Sequence, residues 1–245
     1  MTDLPMTATV PRPLVPRLDS GQQELVRWLA MLSMVIDHVG AVFLPPQAAE
    51  PLRFIGRVAW PLFAFLMAYN VAVRGVDPVR YLRPLLLWGL VAQVPHYLLF
   101  GWLRVSILGT LFLAASALAL LLRAGVDPAR RQAGYARLAP VYVVAGLVGV
   151  WLLSPYVEYG PAGIVLVVTL WWAVGSGTVI AWVAAGLATA LVNYPWSNWP
   201  AALIALPIIF LAGRSPLRLP RSGRLPWLFY PAHLLILWLV KALAP

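Results

Sequence analysis

The chain has 245 residues, of which 62% are hydrophobic and only 11% are charged, a composition that excludes an ordinary soluble domain and is typical of polytopic membrane proteins. It has no cysteine, which excludes disulfides, thiolate metal sites and a cysteine nucleophile. The net charge of +10 comes from 17 Arg and one Lys, and in so apolar a chain it indicates loops that orient membrane helices, not a nucleic-acid-binding surface.

Residues 1–24 are rich in Pro and Arg and are predicted to form a disordered cytoplasmic tail. Residues 25–245 are predicted to form one transmembrane domain, because no internal repeat is apparent, and its segments are predicted to be helices, because they lack the alternation of barrel strands. The expected fold is an all-α polytopic integral membrane protein with about nine membrane helices. The nine segments run approximately over residues 25–44, 52–73, 82–100, 103–122, 138–153, 161–175, 178–193, 199–212 and 226–243.

The distribution of basic residues predicts the orientation of these helices. If the N-terminus is inside, thirteen of the 18 basic side chains lie in cytoplasmic segments and three (Arg53, Arg104 and Lys241) lie outside. Cytoplasmic loops of membrane proteins are enriched in Lys and Arg, so the N-terminus is predicted inside and the C-terminus outside.

The first apolar segment carries Asp37 and His38 beyond its midpoint. Ionisable residues are costly in lipid and usually face a protein interior or a wet cavity. A neutral His is a suitable general base near pH 7, and Asp37 is available to a cation of another helix. The simpler alternative is a polar contact that only fixes helix packing.

Arg57, within the second segment, is the cation predicted to pair with Asp37. A helix rises 1.5 Å per residue, which puts Asp37 about 10 Å and Arg57 roughly 8 Å below the outer boundary. Such a pair has two interpretations: a structural link between the first two helices, or a guanidinium that stabilises a developing oxyanion.

The remaining candidates lie on other segments. Gln93 and His96 share a face of the third segment, and His233 lies near the middle of the last one. The simplest interpretation of His96 is a solvated side chain near the interface, and that of Glu158 is an exposed loop acid. The three His with Asp37 lack the tight spacing of a zinc site, and no phosphate loop, nucleophile elbow or nucleic-acid motif is present.

Several blocks of the sequence resemble the TraX family, which is named after a conjugal-transfer protein that acetylates pilin. The blocks are Met31-Leu-Ser-Met-Val-Ile-Asp-His-Val-Gly40, Gly56-Arg-Val-Ala-Trp-Pro-Leu-Phe-Ala-Phe65, residues 81–95 and Phe229-Tyr-Pro-Ala-His-Leu-Leu-Ile-Leu237. The resemblance implies a membrane acyltransferase of the cell (plasma or inner) membrane that uses acetyl-CoA and no metal. The acceptor, which is a peptide, a glycan or a lipid, stays open.

The resemblance also implies roles for matching residues. His38 is expected to act as general base, and Arg57 with Gln93 to stabilise the oxyanion. Asp37 is expected to hold Arg57 or His38, and His233 to assist as a second base or hydrogen-bond donor. Arg57 and Tyr230 are expected to contact the acyl-CoA, and Arg83 is expected to do so through the charge of the Arg-rich loop 74–83. Direct transfer and an acyl-His intermediate both fit the sequence.

Two alternatives belong to other classes of protein. The same Asp, His and Arg side chains suit the proton relay of a coupled transporter or permease. A non-catalytic scaffold with a structural ion pair would need only the Asp37–Arg57 contact.

Overall fold

The computed structural model describes residue 14 and residues 16–124, 139–194 and 199–244. In that part of the chain the regular structure is helical, and extended backbone pairs only at one isolated bridge, between Val105 and Val157. The α-helices are α1 (Ser20–Phe43), α2 (Pro46–Gly56), α3 (Ala59–Ala72), α4 (Val79–Phe100), α5 (Ile107–Arg123), α6 (Ala139–Leu153), α7 (Gly160–Ser176), α8 (Val179–Leu191), α9 (Ala205–Ala212) and α10 (Leu225–Leu243). Short 3-10 helices span Ser154–Tyr156 and Trp199–Ile204. The all-α prediction is confirmed.

Three candidate spans among the described residues are long and apolar enough to cross a membrane. They are Ser20–Phe43, Pro46–Ala72 and Leu225–Leu243, and five shorter apolar helices accompany them. These helices and the composition make the chain a membrane protein. The count of nine crossings and the orientation stay predictions.

The second predicted segment is two helices, not one. α2 and α3 meet at a short turn formed by Arg57 and Val58, and α2 begins at Pro46, before the predicted start at residue 52. Pro46 occupies the first turn of α2, where backbone N–H groups have no partner within the helix, so its lack of an N–H costs no hydrogen bond.

α1 begins at Ser20, so the last residues of the predicted tail are helical. Asp19 caps the helix by accepting from the backbone N–H of Gln22, whose side chain returns a bond to the backbone of Asp19. This reciprocal capping box fixes the start of the helix. The hydroxyl of Tyr69 also bonds to the backbone of Leu18. The predicted tail residues 1–13 and 15 lie outside the described part of the chain.

α3 forms the centre of the bundle. Nearly all of its side chains are buried, among them Trp60, Leu62 and Phe65, and it packs against α1, α7 and α9. A helix that is apolar on every side is expected at such a central position. α7 lies between α3, α5 and α8, while α10 packs against α4 and α1. The last contact brings the middle of α10 beside the C-terminal half of α1.

Two glycines allow α1 and α2 to approach closely. A Cβ atom on Gly40 would lie 2.9 Å from the Cβ of Leu52, and a Cβ atom on Gly56 would overlap the side chain of Asp37. The missing side chain at Gly56 therefore lets α2 lie directly against the carboxylate of Asp37.

We predict that Gly56→Ala lowers the stability of the protein by about 1–3 kcal/mol, because the added methyl group forces α2 away from Asp37. Gly149→Ala is the matched control, since nothing lies within 4 Å of the added atom and Ala favours a helix. Thermal unfolding in detergent measures both. Equal melting temperatures for the two variants would contradict the close contact.

Candidate functional site

The centre of the candidate site is a hydrogen bond between two buried histidines. The Nδ1 atom of His38, on α1, lies 3.0 Å from the Nε2 atom of His233, on α10. The Nδ1 atom of His233 lies 2.9 Å from the carbonyl oxygen of Phe229 in the preceding turn of the same helix. The structure thus joins two residues that are 195 positions apart in the sequence.

The carbonyl group of Phe229 determines which nitrogens of the two histidines carry protons. A carbonyl oxygen only accepts hydrogen bonds, so His233 must carry its proton on Nδ1 and, when neutral, presents a lone pair at Nε2. His38 then donates from Nδ1, and its own Nε2 atom is the basic nitrogen. This arrangement orients the ring of one His by a hydrogen bond to the other, as a base in a catalytic site requires.

Aromatic rings enclose the histidine pair. The ring of Phe229 stacks on His233 at 5.0 Å, and the ring of Phe100 meets His38 edge-on at 5.3 Å. Tyr230 contacts His233 at 5.4 Å. Each His is less than 10% exposed, so the surrounding side chains hold both rings in place and exclude most water.

Asp37 forms a hydrogen-bonded ion pair with Arg53, whose Nη1 atom donates to Oδ2 at 2.9 Å. Sequence reasoning expected Arg57 in this position and placed Arg53 on the outer surface. Arg57 follows Arg53 by one helical turn, at the α2–α3 junction, and its charge also attracts Asp37. Because Asp37 touches Gly56 on α2, both arginines come within electrostatic reach of it. The second oxygen, Oδ1, is buried without a hydrogen-bond partner among the described residues.

Glu158 lies beside Asp37, contrary to its interpretation as an exposed loop acid. The isolated bridge holds it, since the N–H of Glu158 donates to the carbonyl of Val105 at 2.9 Å and the N–H of Val105 donates to Tyr156. The next residue, Tyr159, donates from its N–H to the hydroxyl of Thr110. This short loop therefore turns the carboxyl group of Glu158 inwards.

The surroundings of Glu158 change its acidity. Burial of the carboxyl group, and after it the negative charge of Asp37, raise the pKa of Glu158 to about 7, and the charges of Arg53 and Arg57 offset only part of this rise. Burial likewise raises the pKa of Tyr159, whose hydroxyl stays protonated at neutral pH. The site thus contains one group that ionises near neutral pH.

A small pocket of about 10 Å³ joins these groups. Its polar lining consists of Asp37, His38, Glu158, Tyr159 and Tyr230. Such a volume holds about one water molecule. The pocket can therefore present a base, two acids and two hydroxyls to one or two atoms of a substrate.

A larger cavity of about 200 Å³ adjoins the small pocket. The two share Met34, Ile107 and Tyr230 in their linings. The larger cavity extends towards the N-terminal end of α1, where Arg27 and Tyr81 line it, and its remaining lining is mostly apolar.

Other predicted residues lie away from the pocket. The amide of Gln93 bonds to the backbone, donating to Arg104 at 3.0 Å and accepting from Ser106 at 3.2 Å, so it fixes the loop before α5. Arg83 is exposed on α4, and neither it nor Arg57 lines either cavity described above. The predicted oxyanion role of Gln93 and acyl-CoA role of Arg83 therefore have no support in this geometry.

His96 is only 1% exposed, which corrects its interpretation as a solvated interfacial residue. Its ring contacts Phe100 at 5.2 Å and stacks on Trp102 at 6.4 Å, and neither ring nitrogen has a hydrogen-bond partner among the described residues. Among those residues no group of three or more His, Cys, Asp or Glu is placed to hold a metal ion.

Sequence reasoning missed Arg53 and favoured an exposed position for Glu158. The predicted start at residue 52 put Arg53 at the outer end of the segment, whereas a helix that begins at Pro46 places it about two turns inside. For Glu158 the sequence gives only the Gly-Pro pair that starts α7, and this does not reveal the bridge to Val105.

Comparison with known proteins identifies the family. Residues 22–241 match the family described as TraX protein. "Protein TraX" of Escherichia coli is 32% identical over 99 residues, 40% of this chain and 39% of that protein. "Uncharacterized protein RP591" of Rickettsia prowazekii (strain Madrid E) is 30% identical over 104 residues, 41% of this chain and 38% of that protein.

The aligned regions thus cover about two fifths of the length of these curated relatives. No solved structure matches the chain significantly. The family match, by contrast, extends over most of the sequence and includes the segments that carry Asp37, His38 and His233. The chain belongs to the TraX family.

Proposed function

We propose that the protein is an integral-membrane acyltransferase that moves an acetyl group from acetyl-CoA to an amine or hydroxyl of an acceptor on the extracytoplasmic side of the membrane. The observation that carries the proposal is the hydrogen-bond chain from Phe229 through His233 to His38, which makes Nε2 the basic nitrogen of His38, a residue that lines the small pocket. The family resemblance gives roles to both His38 and His233, and one hydrogen bond joins these two residues.

In the proposed topology nine segments cross the cell (plasma or inner) membrane, with the N-terminus inside and α2 and α3 together forming one crossing. The N-terminal end of α1 then faces the cytoplasm, and the pocket with Asp37 and Glu158 lies towards the opposite side. The excess of Arg in the loops of the cytoplasmic side supports this orientation.

The transfer step balances with His38 as the base. The acceptor nitrogen or oxygen attacks the thioester carbonyl carbon while His38 Nε2 takes the acceptor proton. The new C–N or C–O bond forms and the C–S bond breaks. The imidazolium then returns the proton to the leaving thiolate, which departs as the free thiol of CoA.

His233 acts through His38 in this mechanism. Its hydrogen bond fixes the ring and the tautomer of His38, and the Phe229 carbonyl fixes His233 in turn. Tyr230 lines both cavities, so its hydroxyl takes the oxyanion-stabilising role that sequence reasoning gave to Gln93.

Asp37 and Glu158 supply negative charge beside the base. An imidazolium that forms on His38 during the transfer is stabilised by a carboxylate in the same poorly solvated pocket. The unpartnered Oδ1 atom of Asp37 accepts a hydrogen bond from the second N–H of an attacking amine, whereas the single proton of an attacking hydroxyl goes to His38. The ion pair with Arg53 favours the carboxylate form of Asp37, and the charge of Arg57 adds to that attraction.

We expect His38→Ala to reduce acetyl transfer at least 100-fold, because a positioned general base typically contributes 10²–10⁴ in rate. The measurement is transfer from labelled acetyl-CoA by purified protein in detergent or lipid, with a mixture of amine and hydroxyl acceptors. His96→Phe is the matched control, since His96 is also buried but, within the described part of the chain, its ring nitrogens form no hydrogen bond. It should retain most activity.

The result that would overturn the proposal is an absence of turnover by the wild type with every acceptor, together with solute uptake into proteoliposomes. A transporter would give that outcome. Equal activity of His38→Ala and the wild type would also overturn the role of His38.

The pKa of Glu158 predicts how activity depends on pH. Below pH 7 the carboxyl is neutral, and above it the carboxylate stabilises the imidazolium of His38, so activity should rise through pH 7. Glu158→Gln cannot ionise and should lose this rise: we expect near-equal rates at pH 6 and a rate about tenfold lower than wild type at pH 8, equivalent to about 1.4 kcal/mol.

The rate measurement should be accompanied by thermal unfolding, because the same pKa affects stability. Since the folded protein binds this proton more tightly than the unfolded chain, the stabilising contribution is complete below pH 4.5 and is lost as the pH rises to about 7. Glu158→Gln should therefore be more stable relative to wild type at pH 8 than at pH 5. An unchanged rate profile would contradict this role of Glu158 and assign the pH dependence to another group, one that lines the pocket (Asp37, His38, Tyr159 or Tyr230) or a charge beside it (Arg53 or Arg57).

A further inference from the structure

We propose that the larger cavity holds the pantetheine arm of the donor thioester and that the small pocket restricts the transferred acyl group to a short chain. This inference rests on the proposed function and specifies its donor site. It replaces the acyl-CoA contacts that sequence reasoning gave to Arg57 and Arg83, neither of which lines the cavity.

One face of α1 forms a continuous wall from the cavity to the base. Arg27, Met31, Met34 and His38 are spaced by four, three and four residues and so share one side of the helix. The first three line the larger cavity, and Met34 and His38 line the small pocket. The eleven residues from Arg27 to His38 correspond to about 16 Å along the axis. An extended pantetheine arm is comparable in length.

The chemistry of the cavity changes along its length. Met31, Met34 and Met67 contribute flexible thioethers to its apolar middle, and such side chains adapt to a long, unbranched ligand. Asn70 and Tyr81 supply hydrogen-bonding groups towards the Arg27 end. A pantetheine arm, which combines alkyl segments with amide groups, matches this combination better than a purely hydrocarbon chain does.

Cationic side chains lie at the Arg27 end. The guanidinium of Arg27 pairs with Glu24. Glu24 also contacts Ser222, in the loop before α10. In the same loop, Arg224 directly follows Gly223, which lines the cavity. Arg74 is close to Gln23 at the same end. An anionic head group that stays outside the cavity would find these arginines, and the phosphates of CoA are such a group.

The volumes limit the acyl group. The reacting carbonyl carbon must come close to His38, so any part of the acyl chain beyond it must fit the pocket of about 10 Å³. Because the pocket must also admit the attacking atom of the acceptor, it leaves room for at most a methyl-sized group and for no long chain. The geometry therefore favours an acetyl donor over a long-chain acyl-CoA or a phospholipid.

The wild-type protein tests the acyl limit directly. We expect acetyl-CoA to be used at least tenfold faster than octanoyl-CoA and palmitoyl-CoA, and a phospholipid donor not to be used. Equal rates with acetyl-CoA and palmitoyl-CoA, or transfer from phospholipid, would overturn the assignment of the two cavities.

Two neighbouring leucines of α4 allow a matched pair of substitutions that tests the binding of the pantetheine arm. Leu85 is 2% exposed and lines the cavity, whereas Leu86 is 51% exposed and points away from it. Leu85→Trp should weaken equilibrium binding of CoA, and raise the KM for acetyl-CoA, at least tenfold, while Leu86→Trp should change neither. Wild-type CoA affinity in folded Leu85→Trp would overturn the proposal.

Arg27→Gln keeps the test decisive if Leu85→Trp fails to fold. It should weaken binding of CoA at least fivefold but leave binding of pantetheine, which lacks the nucleotide phosphates, nearly unchanged; equal losses for both ligands, or none for CoA, would overturn the placement. The two proposals fail in different ways. If His38→Ala abolishes transfer but Leu85→Trp binds CoA normally, the proposed acyltransferase activity stands and only the donor site is refuted. No transfer by wild type, with CoA binding that depends on Leu85, would refute the acyltransferase instead.

Discussion

The hydrogen bond between His38 and His233 is the interaction on which the candidate site depends. It connects α1 to α10 across a buried interface, and the Phe229 carbonyl at its far end gives the pair a defined order of protons. A pair of neutral rings without this carbonyl could exchange donor and acceptor roles. With it, one nitrogen of His38 is reserved as an acceptor. The backbone of α10 thereby sets the chemistry of a side chain on α1.

Charge in the neighbouring pocket is balanced over several elements. Asp37 comes from α1, Arg53 and Arg57 come from α2 and its end, and Glu158 comes from the loop before α7. A buried carboxylate without a cation would be strongly unfavourable, so the pair with Arg53 is what allows Asp37 to be charged there. A second carboxylate nearby is then harder to ionise. The raised pKa of Glu158 follows first from burial of its carboxyl group and then from the negative charge of Asp37, which the two arginines offset only in part.

Helical class and the identity of the main polar residues could be predicted from the sequence, because lipid requires its spanning segments to be helical or closed barrels and makes isolated charges within them costly. The helix break at Arg57 and Val58 could not, since Pro46 and Pro51 allow several starts for the helix. The partner of Asp37 was missed for the same reason. The predicted start of the helix put Arg53 outside the membrane and left Arg57, one turn further on, as the expected partner. Glu158 depended on the bridge between Val105 and Val157, which joins distant loops and leaves no local pattern.

The two cavities meet at a wall of three side chains, Met34, Ile107 and Tyr230, and this has a consequence for the proposed reaction. A thioester arriving along the apolar cavity and an acceptor arriving through the acidic pocket would meet only at that wall. Water would be largely excluded from the apolar side, which limits hydrolysis of the thioester before the acceptor binds. Because the acidic groups lie on the other side, an acceptor would reach His38 without passing the carrier arm. A separation of this kind lets a membrane protein accept its two substrates from opposite faces.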